Sequence, residues 1–232
     1  MTKTKLDISR ASESIRDHRF VEALSLLEGN LSKDPQHIDS LYLASVCSRY
    51  LKNYKDSQNY LETLLSISPD MGRAYQELGH LMRDSGNEES SISYYRQACE
   101  LNPALLSSWT SLYNDFVKIK KKPAADHALT QLNTLKSIPG SLLYISQILN
   151  EGRLGLAETK CREFLKKNPT HTYAMSLLSQ IADKLGYFDD AEFLLENAVK
   201  FKPKDGELRM KYAMILRKKQ KFAKTMEQVN IL

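Results

Sequence analysis

The chain has 232 residues, 42% hydrophobic and 26% charged, a balance that excludes intrinsic disorder and suits a folded, soluble protein. No apolar run is long enough to cross a bilayer, and the opening Met-Thr-Lys-Thr-Lys-Leu-Asp lacks an apolar signal core, so the expected location is cytoplasmic, with no membrane. The odd cysteine count, with Cys47, Cys99 and Cys161 far apart, excludes a disulfide framework and reads as buried packing residues in a reducing compartment.

Five prolines keep step along the chain: Pro35, Pro69, Pro103, Pro169 and Pro203. The intervals are 69−35 = 34, 103−69 = 34, 169−103 = 66 and 203−169 = 34, the 66 being two periods less two residues. Units laid out on this period start near Thr4, Ile38, Gly72, Leu106, Ile138, Thr172 and Gly206. Each is expected to hold two helices, with the proline stopping the second or opening the next unit.

In chain order, the first unit carries Ala11, Ala23, Leu27 and Pro35. The second shows apolar residues at helical spacing in Leu41, Ala44, Val46 and Tyr50, then in Tyr60, Leu61, Leu64 and Leu65. The third has Tyr75, Leu78-Gly79, Met82, Tyr95, Ala98 and Pro103. The fourth has Trp109, Leu112, Phe116, Ala125 and Leu129, with Pro123 opening its second helix. The fifth keeps Ala157, Phe164 and Pro169 but has a weak first-helix start. The sixth has Met175, Leu178, Ala182, Ala191, Leu195, Ala198 and Pro203. The seventh runs from Glu207 to Arg217, restarts near Phe222 and reaches Ile231-Leu232.

Turn breakers separate the helices of a unit, as in Lys52-Asn53, Asp84-Ser85-Gly86-Asn87 and Leu185-Gly186. An apolar residue returns just after these turns (Phe20, Tyr54, Leu154, Phe188 and Phe222) and is expected to anchor them to the core. Small residues at positions 8 and 20 of the units, among them Ala11, Gly79, Ala23, Ala157 and Ala191, let two helices cross closely. No segment shows sustained strand alternation.

This pattern resembles the tetratricopeptide repeat (TPR) family over nearly the whole chain. The resemblance implies an all-α TPR solenoid: a right-handed superhelix of about seven helix-turn-helix units, forming a single array over residues 1–232. The shortened interval places an irregular joint between Pro103 and Pro169, where Ser137 stands for the expected proline and Pro139 follows.

A search for chemistry returns little. The five histidines, His18, His37, His80, His127 and His171, lack metal-ligand spacing, and no phosphate loop or dinucleotide glycine pattern occurs. The paired acids Glu88-Glu89 and Asp189-Asp190 fall where second helices begin and favour the helix dipole. The expectation is a chain that is no enzyme and carries no catalytic residues, cofactor or metal.

In the TPR family, positions 2, 5, 9, 12 and 13 of the first helix commonly face a ligand groove. By position, these are Tyr42, Arg49 and Tyr50 in the second unit, and Arg73, Gln76, His80, Arg83 and Asp84 in the third. The fourth gives Thr110, Asn114 and Lys118, and the sixth gives Tyr173, Ser176, Gln180 and Lys184. Arg49, Arg73, Arg83 and His80 are expected to form a basic, hydrogen-bonding stretch, since arginine suits a carboxylate or phosphate. The clamp of chaperone-binding family members is absent, because Ile8/Ser12, Tyr42/Val46 and Gln76/His80 do not supply its Lys/Asn pair. The expected function is a scaffold that binds a peptide or protein segment in the concave groove.

Residues 72–80, 189–196 and 216–223 also resemble the N-terminal repeat region of bacterial TPR-sulfotransferase proteins. That resemblance implies an alternative, a substrate-recruiting arm whose catalytic domain is not in this chain. The stretch from Lys200 to Lys224 holds ten Lys or Arg against two acids. Sparse interleaved aromatics there disfavour nucleic acid and favour a solvated face. The seventh unit leaves Val229 and Leu232 as an apolar edge, expected to be covered by a further domain or partner.

Overall fold

A computed structural model of the chain describes residues 3–231. Fourteen helices are found among the described residues, taken in pairs: α1 (Lys3–Arg16) with α2 (Phe20–Leu31), α3 (Ile38–Tyr50) with α4 (Tyr54–Ile67), α5 (Gly72–Asp84) with α6 (Glu88–Leu101), α7 (Leu106–Lys118) with α8 (Lys122–Lys136), α9 (Gly140–Asn150) with α10 (Leu154–Lys167), α11 (Thr172–Lys184) with α12 (Phe188–Phe201), and α13 (Gly206–Lys218) with α14 (Phe222–Asn230). The chain divides into two compact units, residues 1–137 and 138–232. Their boundary falls inside the shortened Pro103–Pro169 interval.

The period reappears in the backbone. Among the described residues, a positive φ occurs at His18, Lys52, Gly86, Lys120, Gly152, Gly186 and Gln220. These are the turns between the two helices of each pair. The steps are 34 except from Lys120 to Gly152, where 152−120 = 32. Glycine takes this left-handed conformation without strain, whereas the four other residues hold it at a cost.

Helix starts are set by local caps. The imidazole Nδ1 of His37 accepts from the Ser40 amide at 3.2 Å, and that of His171 from the Ala174 amide at 3.3 Å. Asn87 and Asp205 do the same for Ser90 and Leu208. Each satisfies an amide that the first helical turn leaves unpaired. His37 and His171 thus share one role at one repeat position.

In residues 1–137 the core runs through three apolar clusters. Ala11, Ala23, Leu27, Ala44 and Cys47 form the first, Leu41, Leu61, Leu64, Leu78 and Leu81 belong to the second, and Tyr95, Leu112, Phe116 and Ala128 to the third. Leu61 and Leu64 are fully buried, worth roughly 1.5–3 kcal/mol each. In residues 138–232, Leu142, Ile148, Leu177 and Ile181 belong to one cluster, and Leu195, Tyr212, Ile215 and Leu216 to another.

Close crossings use the small positions. Ala11 and Ala23 are fully buried, and the buried Ser57 hydroxyl donates to the Ser45 carbonyl at 2.9 Å. All three cysteines are buried, and burial pushes each thiol up to about 12.

The expected turn anchors divide. Phe20, Tyr54 and Leu154 pack against core clusters, but Phe188 is 39% exposed and Phe222 62%. The cover comes from the next pair: Tyr50 stacks on Phe20 with ring centroids 4.4 Å apart, and Lys218 reaches over Phe188. Phe222 has no described helix after its own to supply it. Val229 is exposed as well, and Leu232 lies outside the described residues.

Candidate functional site

The first helices of successive pairs in residues 1–137 are tied by a polar seam. Arg49, in the last turn of α3, donates through Nε to Glu77 of α5 at 2.5 Å and through Nη1 to Asp84 at 2.7 Å. Its side chain is 10% exposed and that of Glu77 only 3%, so water contributes little to either charge and each stabilises the other. One period later Arg83 repeats the move toward α7, donating to the Ser111 hydroxyl at 3.0 Å and to Asp115 at 2.6 Å. Ser108 of α7 donates to the side-chain carbonyl of Gln76 at 3.0 Å.

His80 sits inside this seam. The phenol of Tyr95, fully buried between the helices, lies 2.7 Å from His80 Nδ1. Burial first, then the positive charges of Arg49 and Arg83, push the imidazole down to about 4. At neutral pH it is therefore uncharged, and the Tyr95–His80 hydrogen bond takes its direction from the imidazole tautomer. The Arg83 guanidinium lies 4.8 Å from the Tyr95 ring centroid, and the Arg73 guanidinium 4.7 Å from that of Tyr42, within cation–π range.

The anticipated basic stretch is therefore charge-balanced. Arg49, Arg73 and Arg83 share the face with Glu77, Asp84 and Asp115, while His80 is neutral. Position 12 supplies Arg49 and Arg83, but positions 6, 10 and 13 of the following helix supply the carboxylates. Glu77, Ser108, Ser111 and Asp115 were missed by sequence reasoning. The signal that could have found the acids is opposite charge 28 to 35 residues downstream of each arginine.

Of the remaining groove residues, Tyr50 is exposed and stacked on Phe20, with the Arg49 guanidinium 4.5 Å from its centroid. Asn114 is exposed on α7. Tyr173 and Gln180 belong to the second compact unit. Tyr173 packs against the core there, and Gln180 Nε2 turns back to the Ser176 carbonyl at 3.2 Å.

In the basic C-terminal stretch, Lys200, Lys211, Lys218, Lys219 and Lys221 are ion-paired, five of the ten cations. Lys218 donates to Asp183 at 2.6 Å, Lys221 to Glu192 at 2.6 Å, and Lys219 to both Asp189 and Glu192. The paired acids at helix starts therefore do more than meet the helix dipole: Asp189 holds Lys219, and Glu88 holds Lys118. Among the described residues no cluster of three His, Cys, Asp or Glu could hold a metal ion, and no helix is long and apolar enough to cross a membrane.

Comparison with known proteins places this geometry. The tetratricopeptide repeat family profile matches residues 38–71, 72–105 and 172–205, which are the pairs α3–α4, α5–α6 and α11–α12. No curated protein matches the chain. Among solved structures, a thermophilic TPR protein of Thermus thermophilus is similar at 18% identity and a TM-score of 0.50, over 92% of this chain and 98% of that one. The structure of Naa15/Naa10 bound to HypK-THB is similar at 17% identity and a TM-score of 0.52, over 98% of this chain and 36% of that one. At these identities the likeness is one of fold. With the 34-residue period, the paired helices and three matched repeats together, the chain carries tetratricopeptide repeats and has the all-α tetratricopeptide-repeat fold.

Proposed function

We propose that the chain is a non-catalytic interaction scaffold that holds a peptide or protein segment along the face formed by α3, α5 and α7. The observation that supports this is the seam itself. Arg49–Glu77, Arg83–Asp115 and Gln76–Ser108 fix three successive helices, while Tyr42 with Arg73, and Asn114, stand beside it. A surface whose side chains are already ordered loses less freedom on binding. Balanced charge also implies recognition by matched hydrogen bonds and aromatic contact rather than by a uniformly acidic ligand.

The seam decides which residues test the reading. Arg83 holds α7, so its change would disturb the fold; Arg73 and Asn114 are the better probes. A photo-crosslinking amino acid at Asn114 is expected to capture one partner in cells. The same group at Arg96, exposed on α6, is expected to capture none of it. Arg73→Glu should suppress the yield from Asn114. Equal capture from Arg96, or a yield indifferent to Arg73→Glu, would remove the assignment.

A further inference from the structure

In residues 138–232, α13 packs on α12 and α11, and the joint is electrostatic as well as apolar. Asp183 receives Lys218, Glu192 receives Lys219 and Lys221, and Asp189 receives Lys219. Asp190 lines the same recess as Lys218 and Lys219, and Lys211 donates to the Ser176 hydroxyl at 3.2 Å. A helix pair thus offers carboxylates to the lysines of the pair that follows. In the other compact unit Glu88 receives Lys118 in the same sense, whereas Arg49 and Arg83, at the repeat position that Arg217 holds, reach forward to carboxylates of the following pair.

One period onward, the equivalent positions of α13 and α14 carry different chemistry. Asp183 corresponds to Arg217, Asp189 to Ala223, Asp190 to Lys224, Glu192 to Met226, and Ser176 to Met210. Four carboxylates give way to two cations and two apolar residues. Arg217 and Lys224 are exposed and have no ion-pair partner among the described residues. Around them Met210, Met214, Phe222, Met226 and Val229 are 45, 59, 62, 57 and 42% exposed, and α14 contributes no buried residue. Phe222, Met226 and Val229 follow helical spacing and form one stripe. Glu227 occupies the position of Phe193, which stays 66% exposed with α13 in place, so this carboxylate lies off the docking side. Glu207 is held by Lys211.

We infer that this side of α13 and α14 docks an amphipathic helix of a partner protein, seated on α14 as α13 is seated on α12, with carboxylates where α13 has lysines. The methionines and Phe222 supply an adaptable apolar contact. Arg217 and Lys224 select the charge, and a lysine-bearing helix would meet like charge. A second copy of this chain docking through the same surface would set two cationic faces against each other, since a two-fold interface pairs a patch with itself.

The probe is a synthetic peptide of residues 206–221 carrying Lys211→Glu, Lys218→Glu, Lys219→Glu and Lys221→Glu, compared with the unchanged peptide. Fluorescence anisotropy against the full chain at low salt is expected to favour the acidic peptide about tenfold or more. Arg217→Glu with Lys224→Glu in the protein should reverse the preference, and Met226→Asp should weaken both peptides. Circular dichroism of each variant must match the parent, so that lost binding reports the surface and not the fold. Equal affinity for the two peptides, no binding, or a preference unmoved by the double change overturns the inference. Concentration-dependent self-association abolished by Met226→Asp would assign the surface to a second copy and overturn it. Binding to phosphatidylserine vesicles abolished by the same change would assign it to a lipid surface, with the same consequence.

Discussion

Gly79→Ala and Gly29→Ala are the same substitution inside helices of the same compact unit, yet they should act with opposite sign. A Cβ added at Gly79 would lie 2.6 Å from both Cδ1 and Cε1 of Tyr95 and 3.0 Å from its Cγ. The ring has no easy retreat: it is fully buried, its hydroxyl meets His80 at 2.7 Å, and the Arg83 guanidinium packs over it. Overpacking of this kind costs about 1–3 kcal/mol, and a strained Tyr95–His80 hydrogen bond adds about 1 kcal/mol. Alanine's better helix propensity returns about 1 kcal/mol. The net expectation is a loss of roughly 1–3 kcal/mol. At Gly29, in α2, an added Cβ meets nothing within 4 Å, so only the propensity term remains and the variant should gain about 0.5–1 kcal/mol. Urea unfolding followed by circular dichroism reads both as shifts of midpoint. Shifts of the same sign would refute the reasoning, because they would show that contact with Tyr95 does not control the site.

His80 predicts a pH dependence. Its imidazole is held at about 4 in the folded chain, against an ordinary 6.5, so the unfolded chain takes up the proton first. The stability this contributes is present above pH 6.5 and lost as pH falls from there to about 4, amounting to roughly 2 kcal/mol between pH 7 and pH 5. Parallel stability curves for the parent and His80→Gln over that range would sink the reading. For the Arg49–Glu77 pair, Glu77→Gln leaves a largely buried guanidinium with Asp84 as its remaining acidic partner. It should cost about 3 kcal/mol in urea unfolding, while Arg49→Met with Glu77→Leu should recover most of that loss. A double variant as unstable as the single one would mean that the seam stabilises by something other than charge compensation.

Much of the fold was legible because its rule is local and repeated. A proline every 34 residues, small residues at two positions and helical spacing between them name the helix pairs without any distant contact. The residues at positive φ show the limit of that local reading. Gly86, Gly152 and Gly186 announce the turn by composition, but His18, Lys52, Lys120 and Gln220 adopt the same backbone. Here the position dictates the conformation, and the residue tolerates it. Phe222 shows a second limit. It has the sequence credentials of Phe20, but burial at that position is donated by the next pair, so one unit's sequence cannot reveal it.

The seam was half legible for a related reason. A helix wheel finds the face on which Arg49 and Arg83 sit, but not what faces them, because the partner lies one unit away and the register between first helices sets the offset. Arg49 reaches 28 and 35 residues forward, Arg83 28 and 32. The offset varies because a long guanidinium can select among positions 6, 10 and 13 of the next helix, taking whichever oxygen is present there. Charge pairs across a repeat joint are therefore a code with several spellings. Residues 172–221 use another spelling, with the acid leading and the lysine following. The code constrains function as well as packing: where α13 and α14 replace the leading acids with Arg217 and Lys224, the next partner in register must reverse its own charge.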